Sequence, residues 1–140
     1  MIILGLDPGS NTGCAIYSAG LLQTLHTISP HHIAGFIREV NPGRVIFEDS
    51  RLTSYVFTTV KSRPVALNMA RKVGQVDAWC LLIQLVCSDM NISGHGISPK
   101  QKGAKLNAKE FARATGWLAA SNEHNRDAAM VAWPYRGAAA

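Results

Sequence analysis

The chain has 140 residues, of which 47% are hydrophobic and 16% are charged. This composition excludes an intrinsically disordered chain, and we expect one globular domain over residues 1–140. Fourteen Lys and Arg against nine Asp and Glu give a net charge of +5. That balance favours a polyanionic partner, although a basic surface without a function would explain it equally well.

No stretch of the sequence is typical of a membrane span or a secretion signal. The apolar run over residues 79–87 is too short to cross a bilayer. The three cysteines lack metal-ligand spacing, and their odd number argues against a disulfide framework. We therefore expect no membrane association and a reducing, cytoplasmic location.

The first predicted strand ends in an acid. Residues 2–6 form an apolar run typical of a buried strand, and Asp7 follows it directly. A Pro-Gly pair comes next, and its glycine would supply the unusual dihedral angle of a tight turn. Strand patterns resume at residues 14–17 and 21–29, which predicts a three-stranded antiparallel meander. A carboxylate at this position either caps the turn or binds a cation.

A fourth predicted strand repeats this pattern. Residues 44–47 are largely apolar and are followed by Glu48 and Asp49. Because a helix predicted over residues 30–40 precedes it, this strand most simply lies parallel to the first strand and beside it. Glu48 would then stand next to Asp7 at the carboxyl edge of the sheet. The two carboxylates would repel each other unless a divalent cation joined them.

Basic and aromatic residues are interleaved in segment 50–64, which we interpret as a loop near the acids. Bases would stack on its aromatic side chains while its cations contact phosphates. Alternatively, the loop packs its aromatic residues onto the core. The candidate DNA-binding residues of this segment are Arg51, Tyr55, Phe57, Lys61 and Arg63.

The longest predicted helix covers residues 65–90. Its first half is amphipathic, whereas its second half is apolar nearly all round, which predicts that the second half is buried. A short strand over residues 92–98 and a basic loop over residues 99–105 follow. Unless this loop is only a solvated turn, three of its lysines are candidate phosphate contacts: Lys100, Lys102 and Lys105.

Two further helices are predicted near the end of the sequence. Asn107 would cap the first, and residues 121–127 lead into the second. Spacings of three and four place Glu123, His124 and Asp127 on one face of its first turns. Taken alone, Asp127 could equally be an acid favoured by a helix N-terminus. The complete pattern predicts an α/β fold whose mixed five-stranded sheet combines the antiparallel meander with two parallel strands, flanked by helices.

Acids from three separate elements are thus expected to meet. Such oxygen-rich ligand sets suit Mg²⁺, and Mn²⁺ tolerates an added imidazole better. Two such ions can activate a water and stabilise the leaving oxygen at a phosphodiester. The candidate residues are Asp7, Glu48 with its neighbour Asp49, and Asp127 with Glu123 and His124.

These motifs, in this order, resemble the RuvC-type Holliday junction resolvases of the ribonuclease H-like superfamily over nearly the whole chain. Residues 5–13 look like the family's first motif, residues 47–48 its second, residues 72–75 its helix signature and residues 124–129 its last motif. The resemblance implies a ribonuclease H-like fold. It also implies a two-metal Mg²⁺ site in which Asp7 touches both ions, and the residues completing this catalytic site would be Glu48, His124 and Asp127.

The same resemblance implies a substrate and an assembly. Family members act as homodimers on four-way DNA junctions and make paired nicks that leave 5′-phosphates, and here the dimer contact would be the helix over residues 65–90. The compact size and residues 102–117 look more like phage-encoded members, which would act in the bacterial host cytoplasm. The segment between Glu48 and Gly74 is longer than in the family, so the resemblance does not identify which aromatic residue stacks at the junction.

Three other functions fit the sequence. A ribonuclease H-like nuclease acting on flaps or other branched DNA has the same pattern, because specificity lies in the loops. An actin-like sugar kinase or ATPase also opens with Gly-x-Asp-x-Gly, but it needs two such domains. A catalytically inactive junction-binding module would gain nothing from four carboxylates near a phosphate backbone.

Overall fold

The computed structural model describes residues 1–53 and 62–137. A mixed five-stranded sheet of order β3-β2-β1-β4-β5 forms its centre. β1, β2 and β3 form an antiparallel meander, and β4 and β5 extend the sheet parallel to β1. This is the predicted sheet. Its strands are β1 (Ile2–Asp7), β2 (Thr12–Ser18), β3 (Leu21–Ile28), β4 (Arg44–Glu48) and β5 (Ser93–Ile97).

In the described ranges, four α-helices and four short 3₁₀ helices connect and flank the strands. The α-helices are α1 (Ile33–Val40), α2 (Arg63–Asp89), α3 (Ala108–Thr115) and α4 (Glu123–Ala132). The 3₁₀ helices are Pro30–His32, Ser50–Leu52, Pro99–Gln101 and Trp133–Tyr135. Among the described residues, no helix has both the length and the apolar character that a membrane crossing requires.

Local signals explain where the helices begin and end. Asn107 caps α3 through a reciprocal pair of hydrogen bonds with Glu110, as its sequence predicts. Asn41 ends α1 with a left-handed φ of 48°, and Gly116 ends α3 with a φ of 78°. Ser29, however, makes no side-chain cap, because the chain enters α1 through the 3₁₀ turn Pro30–His32.

Each face of the sheet carries its own hydrophobic core. Alternate residues of β1 point to opposite faces: Leu4 and Leu6 pack with α1 and α2, whereas Ile3 packs with α3 and α4. Phe47 fills the first core and Phe111 the second. The sheet is therefore covered on both faces, and its carboxyl edge is left for polar side chains.

α2 is less buried than its sequence predicts. Cys80, Ile83, Val86 and Cys87 are buried in its second half, but Leu85 remains 58% exposed. The helix packs on the sheet through one stripe only, so the expectation of burial all round is wrong. Further apolar side chains are exposed along its length, namely Val65, Leu67, Met69 and Leu81.

Candidate active site

Two carboxylates occupy matching positions at the ends of neighbouring parallel strands. Leu6 of β1 pairs with Phe47 of β4, so the next residues along the two strands are Asp7 and Glu48. The Glu48 carboxylate lies near enough to Asp7 to raise its pKa. The predicted juxtaposition of these two acids therefore follows from the sheet register.

Two glycines allow α4 to approach these strands closely. A Cβ at Gly5 would overlap the carbonyl oxygen of Ala128, and a Cβ at Gly13 would overlap the carbonyl oxygen of His124. Gly13 pairs with Asp7 across the β1–β2 ladder. The bare backbone of both strands thus lets the first turns of α4 lie against the sheet, which brings Asp127 to the acids of β1 and β4.

Asparagines fix the start of α4. The Asn122 side chain accepts a hydrogen bond from the backbone N–H of Asn125, and the Asn125 side chain accepts one from the backbone N–H of Asn122. The Asn122 amide also donates to the hydroxyl of Thr27 on β3, at 2.9 Å. This capping box was not identified from the sequence, although the Asn-x-x-Asn spacing signals it. It ties the helix N-terminus to the sheet.

A lysine lies among the acids. The Lys102 Nζ atom is 3.1 Å from Glu48 Oε2 and 3.2 Å from Asp127 Oδ2, and the lysine side chain is only 13% exposed. Lys105 Nζ also approaches Asp127 Oδ2, at 3.5 Å, but its side chain is 69% exposed. Both lysines belong to the segment that joins β5 to α3, called here the lysine loop (residues 98–107). The acids therefore carry a built-in counter-ion.

Burial and crowding shift the titration of this cluster. Desolvation by burial, together with contributions from Glu48 and Asp127 that Lys102 partly offsets, raises the pKa of Asp7 to about 8. Burial alone would lower the pKa of Lys102, but the charges of Asp7, Glu48 and Asp127 raise it. The lysine is therefore charged at neutral pH, and it stabilises the acids as a group.

The donor chemistry of the site fits a hard divalent cation. Asp7, Glu48 and Asp127 offer carboxylate oxygens, the ligands that Mg²⁺ and Mn²⁺ prefer. Within the described residues, no set of three His, Cys, Asp or Glu side chains is arranged to hold a metal ion. The Lys102 ammonium contacts oxygens of two of the three acids. A metal ion at those two oxygens would therefore have to displace the ammonium.

The turn after β1 differs from its prediction. Among the described residues, positive φ angles at glycine occur at Gly20 and Gly116, not at Gly9. Thr12 closes the turn instead, since its buried hydroxyl donates to the Gly9 carbonyl at 2.8 Å. The prediction of an unusual glycine dihedral angle at Gly9 is therefore wrong, because the Thr12 hydrogen bond stabilises the turn without it.

Asp49 lies next to Glu48 in the sequence, but its side chain contacts Arg51 and not the acidic cluster. It is 4% exposed, accepts from the Arg51 backbone N–H and receives two hydrogen bonds from the Arg51 guanidinium, at 2.9 and 2.8 Å. The same guanidinium donates to Gln84 on α2 at 2.6 Å. Although burial alone would raise the pKa of Asp49, the Arg51 contacts lower it. Asp49 and Arg51 thus hold the 3₁₀ turn Ser50–Leu52 against α2.

His124 and Glu123 stand at the start of α4. The His124 Nε2 atom lies 3.5 Å from Glu123 Oε1, and both side chains are more than one-third exposed. Within the described part of the chain, no hydrogen bond or ion pair joins either residue to Asp7, Glu48 or Asp127. Their roles as ligands stay predictions.

The remaining candidate DNA-binding residues are distributed unevenly. Lys100 is exposed on the lysine loop and Arg63 is exposed at the start of α2. Tyr55, Phe57 and Lys61 lie outside the described residues. The DNA-binding assignments of all these residues, and of Arg51, stay predictions.

The fold is similar to that of solved structures over nearly the whole chain. The sequence matches no protein-family model and no curated protein sequence. Thermus thermophilus RuvC in complex with a Holliday junction substrate superposes with a TM-score of 0.63 at 15% identity, covering 95% of this chain and 90% of that chain. Another Thermus thermophilus RuvC structure gives a TM-score of 0.61 at 14% identity, covering 95% of this chain and 92% of that chain. The chain therefore has the fold of RuvC, a ribonuclease H-like fold, as the motif resemblance implied.

Proposed function

We propose that this protein is a structure-selective DNA endonuclease that resolves four-way junctions by metal-dependent hydrolysis of phosphodiester bonds. The observation that carries the proposal is the convergence of Asp7, Glu48 and Asp127 at one sheet edge. The shared fold with a RuvC that binds a Holliday junction supports the choice of substrate.

Carboxylates from three elements would hold the metal, with His124 as a fourth ligand. Two Mg²⁺ ions, for which Mn²⁺ can substitute, would polarise the phosphate, lower the pKa of the attacking water and stabilise the leaving oxygen. Hydrolysis breaks the bond between phosphorus and the 3′ oxygen, which leaves a 5′-phosphate. Asp7, whose pKa is raised to about 8, must lose its proton before it can act as a ligand.

Lys102 would serve two partners in turn. Without metal, its ammonium neutralises Glu48 and Asp127. If a metal took those oxygens, the displaced ammonium would be free to contact a phosphate bound at the site. It would then stabilise negative charge on the non-bridging oxygens.

The basic surface would position the DNA. Lys100 and Lys105 extend from the lysine loop beside the acids, and Arg63 begins α2. Such cations contact phosphates without reading sequence, which suits recognition of a branch by shape. Arg51, Tyr55, Phe57 and Lys61 would add to this DNA contact.

We also propose that the protein acts as a homodimer. Val65, Leu67, Met69, Leu81 and Leu85 expose apolar surface along α2, and a second copy would cover it. Two active sites related by a two-fold axis would explain paired nicks in a four-way junction.

A cleavage assay tests the activity. Purified protein with Mg²⁺ or Mn²⁺ is incubated in parallel with four-way, flap and linear duplex DNA. We expect symmetric paired nicks in the four-way junction and no cleavage by Asp7→Asn, which should still bind the junction. Asp89→Asn is a matched control, because Asp89 is an exposed acid paired with Arg38 at the end of α2.

Each alternative gives a different result in the same assay. Preferential cutting of flaps would favour a flap nuclease of the same fold. Binding without cleavage in either metal would favour an inactive junction-binding module. Undiminished cleavage by Asp7→Asn would overturn the site assignment.

A further inference from the structure

A cavity of about 380 Å³ opens beside the acids, between the lysine loop and the second half of α4. This volume is within the range of small-molecule sites, about 300–1,000 Å³. Protein interiors are otherwise close-packed, so an open apolar space of this size next to a reactive centre calls for an occupant.

The lining of the cavity combines two kinds of side chain. Lys102 and Asp127, which belong to the acidic site, line it together with the polar Gln101. Apolar and aromatic side chains make up most of the remainder, among them Leu106, Met130, Trp133 and Tyr135. A ligand that satisfies both kinds has an apolar, flat body and an anionic group within reach of the acids and their cations.

The two aromatic side chains are held in place by residues outside the cavity lining. The Arg136 guanidinium lies 3.5 Å from the centroid of the Trp133 ring. His95 packs edge-on against Tyr135, with ring centroids 5.0 Å apart. Rings fixed in this way offer stacking surface at low entropic cost, since little side-chain freedom remains to be lost.

We propose that this cavity receives one unstacked nucleobase of the bound DNA, from a nucleotide flanking the phosphate that is cleaved. The inference rests on the proposed nuclease function, because it assumes that the phosphate sits at Asp7, Glu48 and Asp127. Continuity between the acids and the cavity supports it, as Lys102 and Asp127 belong to both. The cavity would then set a base preference for cleavage within junctions that the fold recognises by shape.

A nucleobase suits the site better than other occupants. A free apolar molecule would make no use of the charged part of the lining, and a simple anion would make no use of its aromatic part. Nucleotides at a branch point are already poorly stacked, so inserting one base there costs less free energy than extruding it from a regular duplex. The enzyme would therefore find its preferred base most readily at a junction.

Filling the cavity tests the inference. Ala104 lines the cavity on the exposed lysine loop, so Ala104→Trp would place an indole in it. Ala114→Trp is the matched control, because Ala114 is an exposed alanine of α3 outside the lining. Cleavage rates are measured on four-way junctions that carry each base in turn at the two nucleotides flanking the scissile phosphate.

We expect wild-type rates to differ by about tenfold between the best and worst base at one of the two positions. Ala104→Trp should lose this difference while its Kd for the junction, measured in the Asp7→Asn background, stays unchanged. Ala114→Trp should retain the difference. The inference is overturned if Ala104→Trp keeps the wild-type preference.

A second variant covers the case in which Ala104→Trp does not fold. Met130→Ala enlarges the cavity, and we expect it to raise cleavage next to purines relative to pyrimidines; an unchanged ratio overturns the inference. If the wild type cleaves at the same rate whatever the flanking base, the inference is overturned while the proposed function stands. Absence of cleavage of every junction would overturn the proposed function, and the inference with it.

Discussion

The ammonium nitrogen of Lys102 lies 3.1 Å from Oε2 of Glu48, at the edge of the sheet where the acids meet. A cation that is part of the chain therefore already performs the charge compensation that a metal ion would provide. A metal ion that took Glu48 Oε2 and Asp127 Oδ2 would compete with these lysine contacts. Stability without metal and affinity for metal would then be linked through one side chain.

Lys102→Met should separate these two properties. The methionine keeps much of the side-chain volume but leaves Glu48 and Asp127 without a counter-ion. We expect the free energy of unfolding without metal to fall by about 3–5 kcal/mol, the range for removing one partner of a buried pair. Mn²⁺ should then raise the Tm of the variant more than it raises the Tm of the wild type, as scanning calorimetry would measure.

Lys100→Met is the matched control for this experiment, since Lys100 is an exposed lysine of the same loop. It should leave both the Tm and its response to Mn²⁺ unchanged. Equal metal-induced shifts in wild type and Lys102→Met would contradict the competition between ammonium and metal.

Asp7→Asn should stabilise the metal-free protein as the pH rises. Burial raises the pKa of Asp7 from its ordinary 3.8 to about 8, so between these values the folded protein binds a proton that the unfolded chain has lost. Its stability therefore falls as pH rises through this window and levels off above it. Asparagine avoids that loss. We expect the variant to gain about 1–3 kcal/mol at pH 8 relative to wild type, since each pKa unit is worth about 1.4 kcal/mol and Lys102 compensates part of the charge.

Urea unfolding at pH 5 and pH 8, with a chelator present, measures this gain. The difference between Asp7→Asn and wild type should be larger at pH 8. The exposed Asp89→Asn variant should show no such pH dependence. A gain that is the same at both pH values would contradict the raised pKa.

The acids of β1 and β4 could be predicted from the sequence because the pattern is local: an apolar strand followed at once by a carboxylate. The role of Lys102 could not be predicted in this way. Its ion pairs join residues more than twenty positions apart, and they form only because of the path that the lysine loop takes. Gly13 belongs to the first motif (residues 5–13), but the sequence does not indicate why a glycine is needed there. The need arises from the short distance between β2 and α4, which cannot be predicted from the residue spacing within either element.

Gly13→Ala should therefore damage the site from a distance. The added Cβ overlaps the His124 carbonyl oxygen, so α4 must move away from the sheet and carry Asp127 with it. We expect a loss of about 1–3 kcal/mol in the free energy of unfolding, as for other overpacked cores. We also expect a weaker Tm response to Mn²⁺, because one carboxylate is displaced.

Gly35→Ala is the matched control, and its effect on stability should have the opposite sign. Gly35 lies within α1 and a Cβ there has nothing within 4 Å. Alanine should stabilise that helix by about 0.5–1 kcal/mol and leave the metal response intact. A Gly13→Ala variant that behaves like Gly35→Ala would show that close packing of α4 is not required.

The three cysteines should be unreactive in the folded protein. All three are buried, and burial raises the pKa of Cys14 to about 12 and that of Cys87 to about 11. Burial also raises the pKa of Cys80, opposed by hydrogen bonds to Ser50. Because the thiolate is the reacting form, we expect Ellman's reagent to label them only as fast as the protein unfolds. A Ser88→Cys variant supplies an exposed thiol for comparison, and native labelling of any original cysteine at the rate of that thiol would contradict the prediction.

Asp49→Asn should distinguish a structural acid from a metal ligand. Above the ordinary pKa of an aspartate, ionised Asp49 holds Arg51 by a charge-assisted pair, and this stability is lost as pH falls through the lowered pKa of the folded protein. Asparagine weakens the pair, and we expect a loss of about 1–3 kcal/mol at pH 7. The Mn²⁺-induced rise in Tm should persist in this variant and disappear in Glu48→Gln, since only Glu48 faces Lys102 and Asp7. Loss of the metal response in both variants would make Asp49 part of the metal site, whereas its loss in Glu48→Gln alone would assign Asp49 to the support of the turn that follows β4.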